Sequence, residues 1–139
     1  MNANALITLL FEPDFDNVDL ARASLRGICD ECFGSGDERG AEFCMAATEA
    51  MNNVVEHSGS RAVRVEVVRT PEGVTLRVNN DGAPFDPTTA FAELSEEGLL
   101  ERDEGGYGLY LIRELCDRFS YEYRDSCNVW ILEKDIPAS

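Results

Sequence analysis

Apolar side chains recur along this chain at two periods, and the switches between them predict its elements. Val18, Ala21, Leu25, Ile28, Cys29 and Cys32 keep helical spacing, with Asp16 or Asn17 placed to cap the helix and Gly34-Ser-Gly36 to stop it. Asp37 opens a second helix that runs to about His57 and carries Phe43, Cys44, Ala47, Met51, Val54 and Val55 along one side. Strict alternation then takes over. Val63, Val65 and Val67 alternate with polar residues, Thr70-Pro-Glu-Gly73 turns the chain, and Val74, Leu76 and Val78 alternate on the way back, which predicts a hairpin. Ile7 to Phe11 reads as a short edge-type strand ended by Pro13. A third helix is expected to open at Gly105-Gly-Tyr-Gly108, with Leu109, Leu111, Ile112, Leu115 and Cys116 on its apolar side. Two antiparallel strands follow, about Phe119 to Tyr123 and Cys127 to Glu133.

Strand, helix, helix, hairpin, loop, helix, hairpin is the order of an α+β fold. The expectation is a two-layer α/β sandwich, one mixed and mostly antiparallel sheet with three helices on one face. The 139 residues are enough for one domain with a proper core, taken as residues 1–139. Between hairpin and third helix, Thr88 to about Glu104 reads as a loop with one short helix near Thr89 to Leu94. Its many acids are answered only by Arg102, so it is either a lid or binding loop or a solvated connection.

Polar residues that interrupt the pattern carry the chemistry. At about 100° per residue, Glu49, Asn53 and His57 share one narrow side of the second helix, opposite its apolar side. They form either a solvated face or a set of groups that holds something. Asn80 continues the phase of Val78 and so points to the covered face of the sheet. The glycines before Leu109 let backbone approach a ligand and aim N–H groups and a positive helix end at an anion. Three such segments converging on one face of a sheet describe a nucleotide pocket. It is not a P-loop, because no Gly-Lys-Ser/Thr occurs.

Charge and cysteine content narrow the classes. A net charge of −15 argues against direct nucleic-acid binding, and any bound polyphosphate would need a cation and backbone N–H groups to offset the field. No apolar run approaches a membrane span, and the start lacks a basic leader, so a cytoplasmic home is expected. Cys29 and Cys32 form a lone C-x-x-C on an apolar helix side, which favours buried free thiols over a zinc or redox motif. Trp130 alternates out of phase with Val129 and Ile131, so it is expected on the uncovered sheet face, buried there or covered by a second subunit.

Three ordered motifs then resemble a known superfamily. Glu49-Ala-x-x-Asn53-x-x-x-His57 resembles the N box of the GHKL ATPases, which include gyrase, heat-shock chaperones and histidine kinases. Asn80-Asp-Gly82-x-x-Phe85-Asp-Pro87 is similar to the first glycine box, and Glu104-Gly-Gly-Tyr-Gly-Leu-Tyr-Leu-Ile112 to the second. Within that superfamily the chain looks like the small bacterial anti-sigma-factor serine/threonine kinases. The resemblance implies a Bergerat fold with a lid at about residues 87–105 and ATP held between sheet and helices. Asn53 would bind the Mg²⁺ that joins the phosphates. Gly106, Gly108 and Leu109 would offer backbone donors to phosphate, and Gly82, Phe85, Gly105 and Tyr107 would complete the two glycine boxes. Glu49 would be the general base that takes the proton of a partner's hydroxyl. His57 either lines the phosphate end or finishes the helix.

Such proteins pair as homodimers, bind a sigma factor, and phosphorylate a STAS-domain antagonist. Arg22 matches an arginine at their partner surface, and reads equally well as an ordinary exposed basic residue. One position departs from the family. Where it has an aspartate that accepts from the adenine amino group, this chain has Asn80, while Asp81 points away from the pocket. An amide can accept from adenine or, flipped, pair with guanine, so a preference for adenine weakened by roughly 1–2 kcal/mol is expected. Two other readings stand beside the kinase. One is a regulatory module that binds its partner without phosphorylating it, and the other a relative from a phosphatase-linked system.

Overall fold

The sheet is built from five strands in the order β1-β2-β3-β5-β4, and every one of its pairings is antiparallel. The computed structural model describes residues 5–57, 59–87 and 104–137. Along the chain these form β1 (Ala5–Phe11), α1 (Phe15–Phe33), α2 (Glu38–His57), β2 (Val63–Arg69), β3 (Gly73–Asn80), α3 (Glu104–Leu115), β4 (Arg118–Arg124) and β5 (Cys127–Asp135). The two-layer sandwich is thus as expected, but the sheet is not mixed among these strands. The lid and the short helix near residues 89–94 lie outside the described residues.

Local chemistry sets the element ends. Asp14, rather than Asp16 or Asn17, caps α1, accepting from the Asn17 N–H at 2.8 Å. Asp37 does the same for α2 through the Arg39 N–H at 2.8 Å. The β2–β3 hairpin turns at Thr70 to Gly73, where the two backbones exchange N–H···O bonds of 2.8 and 3.3 Å. The β4–β5 hairpin is tighter, with Asp125 and Ser126 both at positive φ (53° and 64°), as a two-residue turn between twisted strands requires.

Register then selects the buried face. Val65 lies opposite Val78 and Val67 opposite Leu76, while Leu76 and Val78 face Leu132 and Trp130 across the next pairing. All six are buried against Phe43, Ala47, Met51 and Val54 of α2 and Leu25 of α1. Each large side chain buried there contributes about 1.5–3 kcal/mol. Trp130 therefore sits inside, under the helices, with Phe85 and Phe119 around its ring at 6.1 and 5.9 Å between centroids. The expectation that it lies on the uncovered face is wrong. β5 is an interior strand with apolar residues in both phases, and it is Val129 and Ile131 that face outward.

The helices lie side by side, α2 between α1 and α3, with α2 over β3 and β5. Lys134 fastens this arrangement. It is buried, its Nζ donates to the Leu115 carbonyl at the end of α3 at 2.7 Å, and it lies 3.5 Å from Glu42 Oε1 of α2.

Candidate functional site

The C-terminal half of α2 and the start of α3 form one wall. Asn53 is buried, and its Nδ2 donates to the Glu49 carbonyl one turn earlier at 3.0 Å. A backbone carbonyl can only accept, so this bond identifies the nitrogen and turns Oδ1 away from the helix. Gly108 of α3 closes against the same two residues. A methyl group there would lie 2.7 Å from Glu49 Oε2 and 3.5 Å from Asn53 Nδ2. Only a residue without a side chain lets the α3 backbone come this near a carboxylate. Leu109 turns its side chain into the core. Gly105, Gly106 and Tyr107 lie in the first turn of α3, where backbone N–H groups lack intrahelical partners and the helix end is positive.

The loop after β3 meets the end of α2. The His57 ring lies 5.5 Å from that of Phe85, and its Nε2 is 3.3 Å from Glu56 Oε2 in a half-exposed position. Behind Phe85 the loop is held by residues that the motif reading did not single out. Asn128 Nδ2 donates to Asn80 Oδ1 (3.1 Å), to the Gly82 carbonyl (3.2 Å) and to the Ala83 carbonyl (2.9 Å). Its Oδ1 accepts from the Phe85 N–H at 3.0 Å and from the Tyr121 hydroxyl, which also accepts from Phe85 at 3.2 Å. Asn128 shares the phase of Trp130 and Leu132, which only the strand pairing shows to be inward.

This network sets the orientation of Asn80. Its Oδ1 accepts both from Asn128 and from the Gly82 N–H at 3.2 Å. A backbone N–H can only donate, so the oxygen is identified and the amide nitrogen faces the other way. At the position where the resemblance implies an acceptor, this side chain is thus turned to offer a donor. Asp81 points outward, as its phase predicts. It accepts from the Arg61 N–H at 2.8 Å, from Ala62 N–H at 3.5 Å and from Arg61 Nε at 3.4 Å. These bonds, the Arg61 backbone N–H above all, hold its carboxyl below the usual aspartate range. It anchors the connection from α2 to β2.

Arg22 projects from α1, more than half exposed, with Asp19 3.6 Å away. It stands on the α1 side of α2, in a groove whose lining also includes Glu49. Among the described residues no three His, Cys, Asp or Glu side chains form a cluster able to hold a metal by themselves. A cation at this wall would take one oxygen from Asn53 and the rest from a phosphate ligand and water, which is how Mg²⁺ is commonly held. No described helix is long and apolar enough to cross a membrane.

Comparison with known proteins bears on the family and the fold. The profile of the histidine kinase-like ATPase domain matches residues 11–134. The serine/threonine-protein kinase BtrW of Bordetella bronchiseptica is 33% identical over 88 residues, which span 60% of this chain and 62% of that relative. Among solved structures, the histidine kinase AdeS of Acinetobacter baumannii superposes with a TM-score of 0.52 at 10% identity, over 96% of this chain and 69% of that one. The histidine kinase domain of the blue-light-activated kinase EL346 of Erythrobacter litoralis gives 0.52 at 12% identity, over 91% and 62%. At such identities these two likenesses concern the fold.

Proposed function

Because the chain belongs to the histidine kinase-like ATPase family, we propose that it is an ATP-dependent serine/threonine protein kinase acting as an anti-sigma factor. It sequesters a sigma factor and phosphorylates a STAS-domain antagonist. The observation that carries this reading is the convergence of Glu49, Asn53 and Gly108 on one wall. A nucleotide module needs the amide and the glycine-started helix, but a carboxylate beside them has a purpose only if a proton must be accepted. The likeness to BtrW, itself described as a serine/threonine-protein kinase, supports the same branch.

In this reading the first turn of α3 directs backbone N–H groups and its positive end at the phosphates. Asn53 presents Oδ1 to Mg²⁺, which when bound neutralises phosphate charge in a strongly acidic chain. Glu49 accepts the proton of the partner's hydroxyl as that oxygen attacks the terminal phosphorus. Phe85 and His57 close the end of the site between α2 and the β3 loop. Arg22 is a partner contact. Its ion pair with Asp19 is exposed and worth little, so a partner's carboxylate can replace Asp19 at small cost. The functional unit is a homodimer.

The test is incubation of wild type and Glu49→Gln with labelled ATP, Mg²⁺ and a STAS-domain protein. Label transfer should fall by about 10²–10⁴-fold in the variant while nucleotide binding persists. Wild type that binds the partner yet transfers nothing would establish a sequestering module instead.

A further inference from the structure

The hydrogen-bond network at the end of β3 leaves one polar atom over. Asn80 is only 3% exposed and sits on the helix-facing side of the sheet, opposite Val63 of β2 and Asn128 of β5. Both lone pairs of its Oδ1 are engaged, one by the Gly82 N–H and one by Asn128 Nδ2. Its own Nδ2 donates to no group among the described residues. Every described side-chain nitrogen or oxygen that is sealed from solvent has a partner, so the unpartnered Nδ2 is where this side chain meets open space.

The orientation is locked from two sides. Turning the Asn80 amide over would set its NH2 against the Gly82 N–H and Asn128 Nδ2. Turning Asn128 as well would set its oxygen against the Gly82 and Ala83 carbonyls and its nitrogen against the Phe85 N–H. Each mismatch leaves a buried group unsatisfied, so the two asparagines hold each other in one state. The floor of the site therefore presents a donor with no acceptor beside it.

Chemistry narrows what can answer that donor. A phosphate is ill-suited, because one neutral amide in a buried position does not offset the cost of taking its charge out of water. The first turn of α3 offers N–H groups for that purpose elsewhere. An uncharged carbonyl oxygen, by contrast, loses little on burial once it is bonded. The same network holds Phe85 by its N–H, and the half-buried Phe85 ring lies 5.5 Å from that of His57, a flat surface suited to a flat base. Guanine and hypoxanthine carry two neighbouring acceptors, O6 and N7, whereas adenine sets an amino donor beside N7. An asparagine ordinarily reads adenine with both ends of its amide, accepting from the amino group and donating to N7. Here the oxygen is already engaged within the protein, so the adenine amino group would face another NH2.

We propose that Asn80 sets base specificity as a pure donor, so that the site takes a 6-oxopurine nucleoside triphosphate in preference to ATP. This specificity rests on the nucleotide site of the kinase reading and names its substrate class more closely, with ATP as the weaker phosphoryl donor. The amide that the sequence lets face either way is committed by Asn128 to one.

The experiment is calorimetric titration of the full chain, in Mg²⁺, with ATP, GTP and ITP. GTP and ITP should each bind about threefold more tightly than ATP, within the range of one hydrogen bond. In Asn80→Asp, checked for fold by circular dichroism, a carboxylate keeps the bonds to Gly82 and Asn128 and turns an acceptor to the base. The order should then reverse, the ATP-to-GTP affinity ratio rising roughly tenfold. Binding of ATP as tight as that of GTP or ITP, or tighter, would overturn the proposal. So would tight GTP with weak ITP, which would assign the preference to the 2-amino group, or an unchanged order in the folded variant. A wild type that binds ATP alone leaves the kinase reading standing, whereas one that binds no triphosphate overturns both.

Discussion

Two buried clusters in this protein are each built around an asparagine, and they are held in opposite ways. Around Asn128 the hydrogen bonds close on themselves, with two side-chain hydrogen-bond partners, two carbonyls and a backbone N–H all engaged within one loop and three strands. Around Asn53 the side chain is tied to its own helix through nitrogen, and its position toward Glu49 is defined by a glycine backbone on the facing helix. A closed network specifies architecture, because every group removed leaves another buried and unsatisfied. A wall shaped by close backbone approach specifies where a few reactive atoms stand, and altering it changes chemistry more than stability.

Substitutions can press on that contrast. Gly108→Ala should have the largest effect. Its methyl must displace the Glu49 carboxylate, and a displacement on the scale of 1 Å costs phosphotransfer about 10²-fold. Stability should change by no more than about 1 kcal/mol, since alanine also favours the helix. Denaturation and transfer rates on one preparation check both halves, and a variant that unfolds while its remaining folded fraction transfers normally would erase the distinction.

Asn128→Ala should do the reverse. Removing the donor to the Gly82 and Ala83 carbonyls and the acceptor of the Tyr121 hydroxyl should destabilise the fold by roughly 2–3 kcal/mol in urea unfolding, with only secondary effects on transfer. Asn80→Asp probes the boundary between the clusters. Its carboxylate keeps an acceptor for Gly82 and Asn128 but replaces the amide donor, so the ATP-to-GTP affinity ratio should rise roughly tenfold, the scale of one hydrogen bond. Equal, strong ATP preference in both forms would show that this amide does not read the base.

The smallest effect belongs to Asp81. Its carboxyl titrates below the ordinary value of 3.8 in the folded state, so the stability it contributes is present above that value and lost as pH falls through the lower, folded one. Thermal unfolding of wild type and Asp81→Asn should therefore differ at pH 6 and converge as pH falls through the lowered, folded-state value. A gap that persists in acid would assign the effect to shape rather than charge.

Much of this was legible because these elements keep their apolar residues in a single phase. Val63 to Val67 and Val74 to Val78 alternate, α1 and α2 keep their stripes, and three motifs at set spacings pointed to α2, the β3 end and the α3 start. Legibility failed where both sides are apolar. In β5 the two phases, Val129 with Ile131 and Trp130 with Leu132, look alike, and only the pairing with Leu76 and Val78 shows which is inside. The same ambiguity hid Asn128 and the buried Lys134. The cap at Asp14 was missed by two residues because three polar side chains, Asp14, Asp16 and Asn17, compete within four positions.

The place of β5 has a consequence for how the molecule is made. It is the last strand in sequence order, yet it fills an interior position, with β3 on one side and β4 on the other. Until it emerges from the ribosome, β3 presents an unpaired edge of backbone N–H and C=O groups, and Trp130, Leu132 and Lys134 are missing from the core and from the end of α3. A nascent chain holding every residue of the two glycine boxes and the Asn53 helix is therefore still unable to lock α3 in place. The ordering of the site is a late event in biosynthesis, and a ribosome-stalled chain ending before residue 127 should remain sensitive to protease at α3 while the completed chain resists it.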